Sequence, residues 1–507
     1  MGRLCEMSRC GHSSMRLLFY VSSFYVREHL SDSVIVCVFC HRHSDTKSEE
    51  EARGTERERA RERDREREKA IRCHRRRFSW FLVAISTVSL LLHRGVHLNW
   101  TMDSLSLGCS SLPLGRWRLS SLGITTATGK PKHTSVVFLK THKTASTTVQ
   151  NILFRFAERH NLTVAFPITV CGHQFCYPHP FSVRNVHPNT KSPDVLTSHT
   201  RLNVSEMRRL MPNDTLYFTI LREPAAMFES LFSYYSMHCL SFQRVPKGSI
   251  EEFLRQPQLY YRPEEPDSCY ARNTLTYDLG GDKDRPPGDG EYAKNFVAHV
   301  DAVFSLVMIA EHFDESLVLL RRLLNWEIED LLYLKLNMRA QESRKPLAGA
   351  LPAKIRAWNW LDAALYDHFN ASLWRQLERL GRGCLERELR LMRKAQDWLV
   401  RECFGEDTPR VRSATEIHNK QLRPWQPSKK VAIVGYDLPV NTTREQGRGG
   451  GAGGGGGREI TKELCMKMVM PEVNYSELLL RSQLLRQRRR TTPRPTTPRS
   501  HLKKSPK

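Results

Sequence analysis

The segment that most restricts the fold is Ser135-Val-Val-Phe-Leu139, then Lys140-Thr-His-Lys-Thr-Ala-Ser-Thr-Thr148, then Val149 to His160. The first piece is short, apolar and β-branched, the pattern of a strand buried on both faces. The last repeats apolar residues at Val149, Ile152, Leu153 and Phe156, a helical period. A polar loop joins them. The same order returns twice. Thr215 to Leu221 reads as a strand, ends at Arg222-Glu-Pro224 and leads into a helix from Ala225 to Tyr235. Phe304 to Ile309 reads as a third strand, with an amphipathic helix from Glu315 to Leu324 behind it. Strands alternating with helices predict an α/β fold whose central, mainly parallel sheet is flanked by helices. Helical pattern dominates from Leu351 to Arg401.

The chain has 507 residues and a formal net charge of +24. Residues 1–77 hold 18 basic and 13 acidic residues, and residues 477–507 hold 10 basic and 1 acidic, so more than half the excess lies at the two ends. Arg53 to Lys69 alternates Arg and Glu and reads as a solvated low-complexity segment. No zinc finger, helix-turn-helix or RNP signature accompanies the charge, so no nucleic-acid partner is expected. Phe78 to Leu92 carries no formal charge, and continuing to Leu98 gives about 20 residues, the usual spanning length. Arg72, Arg75, Arg76 and Arg77 precede it. By the positive-inside rule they predict a signal anchor with residues 1–77 cytosolic and the rest luminal.

Seven N-x-S/T sequons follow that run, at Asn99, Asn161, Asn203, Asn213, Asn370, Asn441 and Asn474. Asn161, Asn213, Asn370 and Asn441 are the glycosylation candidates. Eight of 13 cysteines also follow it, an even number that predicts disulfides in an oxidising lumen. The expected order is a cytosolic tail (1–77), an anchor (78–98), a stem (99–132), a catalytic domain (133–476) with a glycine-rich insertion (447–457), and a disordered basic tail (477–507).

A loop between a buried strand and a helix N-terminus favours anions, because free N–H groups and the helix dipole point into it. Here Lys140 and Lys143 add charge, and Thr144, Ser146, Thr147 and Thr148 add hydroxyls. The alternative is a helix capped by Thr144 or Ser146 with solvated lysines. The glycines of a Walker loop are absent. Arg222 emerges at a second strand end, with Ser230 about two helical turns further on, which suits a second phosphate.

These residues resemble a known family. Lys140 to Thr148 after a strand looks like the 5′-phosphosulfate loop of Golgi carbohydrate sulfotransferases, and Arg222 with Ser230 looks like their 3′-phosphate site. Val137 to Pro167, Met211 to Thr215, Ala310 to Arg321, Gly435 to Leu438 and Met470-Pro-Glu-Val-Asn-Tyr475 resemble the galactose-3-O-sulfotransferases, over about 134–476. Within that family the likeness is to the branch acting on glycoprotein lactosamine. The resemblance implies a P-loop-like sulfotransferase fold in a single-pass type II Golgi membrane protein. It implies transfer of sulfonate from 3′-phosphoadenosine 5′-phosphosulfate (PAPS) to the 3-hydroxyl of terminal β-galactose, with no metal and with a homodimer admitted. Galactosylceramide is the alternative acceptor, and a non-catalytic glycan-binding luminal protein the distant one. A nucleotide-triphosphate enzyme would need a Walker lysine and acidic magnesium ligands, and neither is found.

By the same resemblance Lys143 meets the bridging oxygen. Lys140, Ser146 and Thr147, within the binding loop Lys140, Thr141, Lys143, Thr144, Ala145, Ser146, Thr147 and Thr148, hold the 5′-phosphate. Arg222 and Ser230 hold the 3′-phosphate. Two histidines compete as general base. His199, in Thr197-Ser-His-Thr-Arg-Leu-Asn203, matches a catalytic histidine of related sulfotransferases and is preferred. His142, inside the loop, is given an orienting or backup role. Arg201 is a candidate acceptor contact.

Overall fold

The computed structural model describes residues 131–190, 192–344, 346–439 and 461–491. The anchor, the glycine-rich insertion, and Asn99 and Asn441 lie outside the described residues.

Five strands form the main sheet: β1 (Val136–Leu139), β2 (Val164–Ala165), β3 (Val195–Leu196), β4 (Leu216–Leu221) and β5 (Leu306–Ile309). Their order is β2-β3-β1-β4-β5, and every pairing is parallel. β1, β4 and β5 fall where the sequence predicts strands, while β2 and β3, at two residues each, are too short to show a period.

Alternate residues of each strand enter opposite cores, as the pleat requires. Val136, Phe138, Phe218, Ile220, Leu306 and Met308 face one hydrophobic cluster. Val137, Leu139, Tyr217, Leu221, Val307 and Ile309 face the other. The first face is covered by helices α1 (Ser146–Arg159), α4 (Phe313–Leu324) and α6 (Arg382–Phe404). On the second, Leu365, Phe369, Leu373 and Leu377 of α5 (Trp360–Leu380) pack against the strands. Helices on both faces fit the α/β expectation. Between β1 and β4 the chain changes its direction of travel across the sheet, so the carboxyl ends of these two strands flank a topological switch point. The loops carrying Lys143 and Arg222 start there, the second leading into helix α2 (Pro224–Tyr234).

A second sheet was not foreseen. It is antiparallel, in the order β6-β8-β7, from β6 (Met338–Arg339), β7 (Val411–Ser413) and β8 (Ile433–Tyr436). Among the described residues no helix is long and apolar enough to cross a membrane.

Two expected boundaries move. Lys132, assigned to the stem, already bonds Glu327 and Asp330 at 3.1 and 2.6 Å. At the other end the tail does not begin at 477: α8 runs from Glu472 to Thr491, behind α7 (Lys462–Val469). Tyr475, Leu479 and Gln483 recur every four residues and are all buried. The Gln483 side chain accepts from Val164 N at 2.9 Å and donates to Val164 O at 3.1 Å, closing the free edge of β2. Arg481 within this stretch and the run of arginines from Arg486 onward hid the period. Disulfides join Cys171 to Cys176 and Cys403 to Cys465, the second tying α6 to α7, while Cys239 and Cys269 are buried thiols.

Candidate active site

The loop from β1 to α1 is strained where an anion would sit. Lys143 and Ala145 both adopt left-handed backbone, at φ of 58° and 65°, although neither is glycine. Left-handed residues spaced this way belong to the nests that turn backbone N–H groups inward. Ala145 caps α1 without a side-chain bond, and no acidic residue stands in its first turn. The positive end of a 14-residue helix is therefore left without a capping side chain.

The loop opens into a cleft of about 710 Å³ lined by Lys143 to Thr148, His142, His199, Arg222 and Ser230, among others. Most of the predicted residues meet there. Lys140 and Thr141 do not line it. Lys140 is 1% exposed, and its ammonium bonds Glu472 Oε2 at 2.7 Å and His199 Nε2 at 2.9 Å. Thr141 bonds the Ile220 carbonyl and so ties the loop to β4. Here these two residues tie the loop to Glu472, His199 and β4.

The hydroxyls are also partly committed. Ser146 Oγ donates to Thr141 O at 2.6 Å, and Thr144 Oγ1 shares a bond with Thr141 Oγ1. Thr147 Oγ1 donates to Glu472 at 3.1 Å. Thr148 Oγ1 accepts from Leu336 N at 3.1 Å, which leaves its own proton available. The backbone, Lys143 and Thr148 are thus the readiest donors in the loop.

Arg222 donates to Lys143 O at 3.0 Å, which fixes the two cations side by side. Arg339 and Arg344, which the sequence did not mark as site residues, line the same cleft. Arg339 is held by Glu229 at 2.9 and 2.5 Å. Burial, then repulsion from Arg222, Arg339 and Lys140, lowers the Lys143 pKa to about 7. Burial lowers that of Arg222, though Glu311 and Glu229 oppose it, and Arg339 and Arg344 add repulsion. Cations that suppress one another are stabilised by a bound polyanion. Glu472 is the acidic intruder. Burial alone would raise its pKa, but Lys140, with help from His173 and Thr147, turns the net shift downward.

The two histidines stack face to face, centroids 4.0 Å apart and planes 10° apart. A bridge between Lys140 and His199 extends the β1–β3 ladder and brings them together. His199 Nδ1 lies 2.9 Å from Lys140 O, which can only accept, so Nδ1 carries the proton. Its Nε2 lone pair then faces the Lys140 ammonium. Burial first, then His142 and Lys140, push its pKa well below the ordinary value. His142 is arranged differently. Asp278, fully buried, accepts from His142 N at 2.9 Å and lies 3.0 Å from Nδ1 through both oxygens. His142 Nε2 is buried with no partner.

Asp278 and Glu472 are the residues sequence reasoning missed. Glu472 falls in a stretch already singled out, without a role. Asp278 had no local signal: it ends the short helix α3 (Thr274–Asp278), which Asp362 caps through Leu275 N and Thr276 N at 3.1 and 2.8 Å. Arg201 sits outside the main cleft, over the Tyr277 ring at 4.3 Å. Of the sequons, Asn161 and Asn213 are exposed. Asn370 is half-buried within α5, its Oδ1 buried. Asn203 caps a helix through Glu206 N and donates to Phe181 O.

An uncapped helix and a cation cluster at the switch point of a parallel sheet, with a histidine held by a carboxylate beside them, define a transferase of anionic groups. A family model described as galactose-3-O-sulfotransferase matches residues 63–483. Galactose-3-O-sulfotransferase 3 of Bos taurus is 52% identical over 84% of this chain and 94% of its own length. The Homo sapiens protein of the same name is 54% identical over 83% and 92%. Galactosylceramide sulfotransferase of Bos taurus is 38% identical over 67% and 76%. The chain belongs to the galactose-3-O-sulfotransferase family and is a sulfotransferase. The match reaches further in both directions than the stretch 134–476 that carried the resemblance, and at its end it takes in most of α8.

Proposed function

We propose that the chain moves the sulfonate of PAPS to the 3-hydroxyl of terminal β-galactose on glycoprotein glycans, with His142 as general base. The observation that carries the base assignment is the unpartnered His142 Nε2, in a cleft whose loop and cations suit a bisphosphate. Family membership implies PAPS as donor. Its two phosphates and sulfonate match the loop on one side and Arg222 with Ser230 on the other. Bound there, it supplies the sulfonate that the galactose hydroxyl attacks.

His142 Nε2 accepts the proton of that hydroxyl and later returns it to water. Asp278 keeps the other ring proton on Nδ1, so Nε2 presents its lone pair. Lys143 stabilises negative charge developing on the departing phosphate oxygen. Arg222 and Ser230 anchor the 3′-phosphate. His199, preferred on sequence grounds, instead braces Lys140 and stacks on His142. The higher identity to the relatives named galactose-3-O-sulfotransferase 3 favours the glycoprotein branch over galactosylceramide. A luminal, Golgi-membrane setting is supported by the basic cluster before the apolar run and by the disulfides Cys171–Cys176 and Cys403–Cys465.

The test compares His142→Ala with His199→Ala. His142→Ala is expected to lose about a hundredfold or more in kcat while still binding adenosine 3′,5′-bisphosphate. His199→Ala should lose less. If His142→Ala turns over normally and His199→Ala does not, the base is His199.

A further inference from the structure

Trp425 is 56% exposed, although its loop is firmly held. The Gln426 side chain accepts from Ile433 N at 2.8 Å and donates to Ile433 O at 2.9 Å, and Arg423 Nε donates to Ile417 O at 2.8 Å. Prolines stand at 424 and 427. A rigid loop that presents a large aromatic face to water leaves apolar area unburied.

Its surroundings say what could cover it. The indole centroid lies 5.7 Å from the ring of Tyr234 and 6.0 Å from that of His238, which is itself exposed. Tyr234 lines the catalytic cleft and carries Lys143 Nζ 3.5 Å above its ring. The two spacings, 3.5 and 5.7 Å, put the indole within about 9 Å of the ammonium that faces the transferred group. The platform therefore continues the cleft outward. That upper limit leaves room for one galactose ring and its glycosidic bond.

We propose that Trp425, with Tyr234 and His238, forms a subsite for the sugar to which the terminal galactose is attached. A pyranose offers a flat C–H face for the indole and hydroxyls at its edge for the imidazole. An acyl chain would leave the His238 edge unused. The proposal extends the galactoside-acceptor reading by one residue of the glycan.

The experiment uses the full chain with Trp425→Ala and Trp425→Leu, the second keeping apolar bulk without the flat face. Acceptors are methyl β-galactoside, N-acetyllactosamine and galactosylceramide in micelles. Both variants should raise KM for N-acetyllactosamine about five- to tenfold, the scale of one ring-stacking contact. KM for methyl β-galactoside and binding of adenosine 3′,5′-bisphosphate should stay within about twofold, which also shows that the variants are folded. Equal shifts for the mono- and disaccharide, or none, would overturn the subsite. A loss confined to galactosylceramide would overturn it in favour of a lipid contact. Transfer by the unaltered protein separates failure of the subsite from failure of the reaction.

Discussion

Lys143 makes the cleft sensitive to pH. With its pKa lowered to about 7, by burial and by neighbouring cations, it is charged below that value and increasingly neutral above it. An anionic ligand favours the charged form, so binding above pH 7 takes up a proton and weakens as pH rises. Calorimetry of adenosine 3′,5′-bisphosphate at pH 8, in buffers of different ionisation enthalpy, should register uptake approaching one proton. Binding with no buffer dependence would contradict this. Lys143→Ala should weaken that binding and lower kcat by about a hundredfold or more, because developing charge loses its partner. Asp278→Asn should lower kcat at least about tenfold with little change in KM, since an amide no longer fixes the His142 tautomer. Lys143 and Arg222 were legible because each lies within a few residues of a strand end, and Ser230 because it follows Arg222 at helical spacing. Asp278 was not, because 136 residues separate it from His142 and only tertiary folding joins them.

At the scale of elements, the C-terminal helix is part of the catalytic domain. α8 brings Glu472 to Lys140 and Thr147 at its start, buries Tyr475 and Leu479, and closes the edge of β2 through Gln483. A chain ending at residue 476 should be less stable than one ending at 491. Exposing the Leu479 site and losing the Gln483 bonds costs about 3 kcal/mol. A thermal melt should show a midpoint lower by a few degrees, and an unchanged midpoint would return α8 to the status of a tail. The strands with four or more apolar residues announced themselves. The two-residue strands are defined by their partners rather than by pattern, and α8 was masked by the arginines around its buried stripe.

For the whole molecule, the parallel sheet sets two loops side by side at its switch point, and everything else holds them there. Two cores fix the sheet from both faces, the antiparallel sheet supplies Arg339 and Ile433 to the cleft wall, and the disulfide from Cys403 to Cys465 secures the segment that delivers Glu472. The overall +24 is thereby divided: the charge that serves the reaction is a local cluster, Lys143, Arg222 and the arginines beside them. If the chain is luminal, glycosidase should shift its gel mobility, with Asn161 and Asn213 the exposed acceptors; an unshifted band from secretory cells would count against that setting. The reaction itself is the most direct test. Incubation of the protein with labelled PAPS and N-acetyllactosamine should place label on the 3-hydroxyl of the terminal galactose, as linkage analysis reads it. Label on no β-galactoside, or at another hydroxyl, would contradict it.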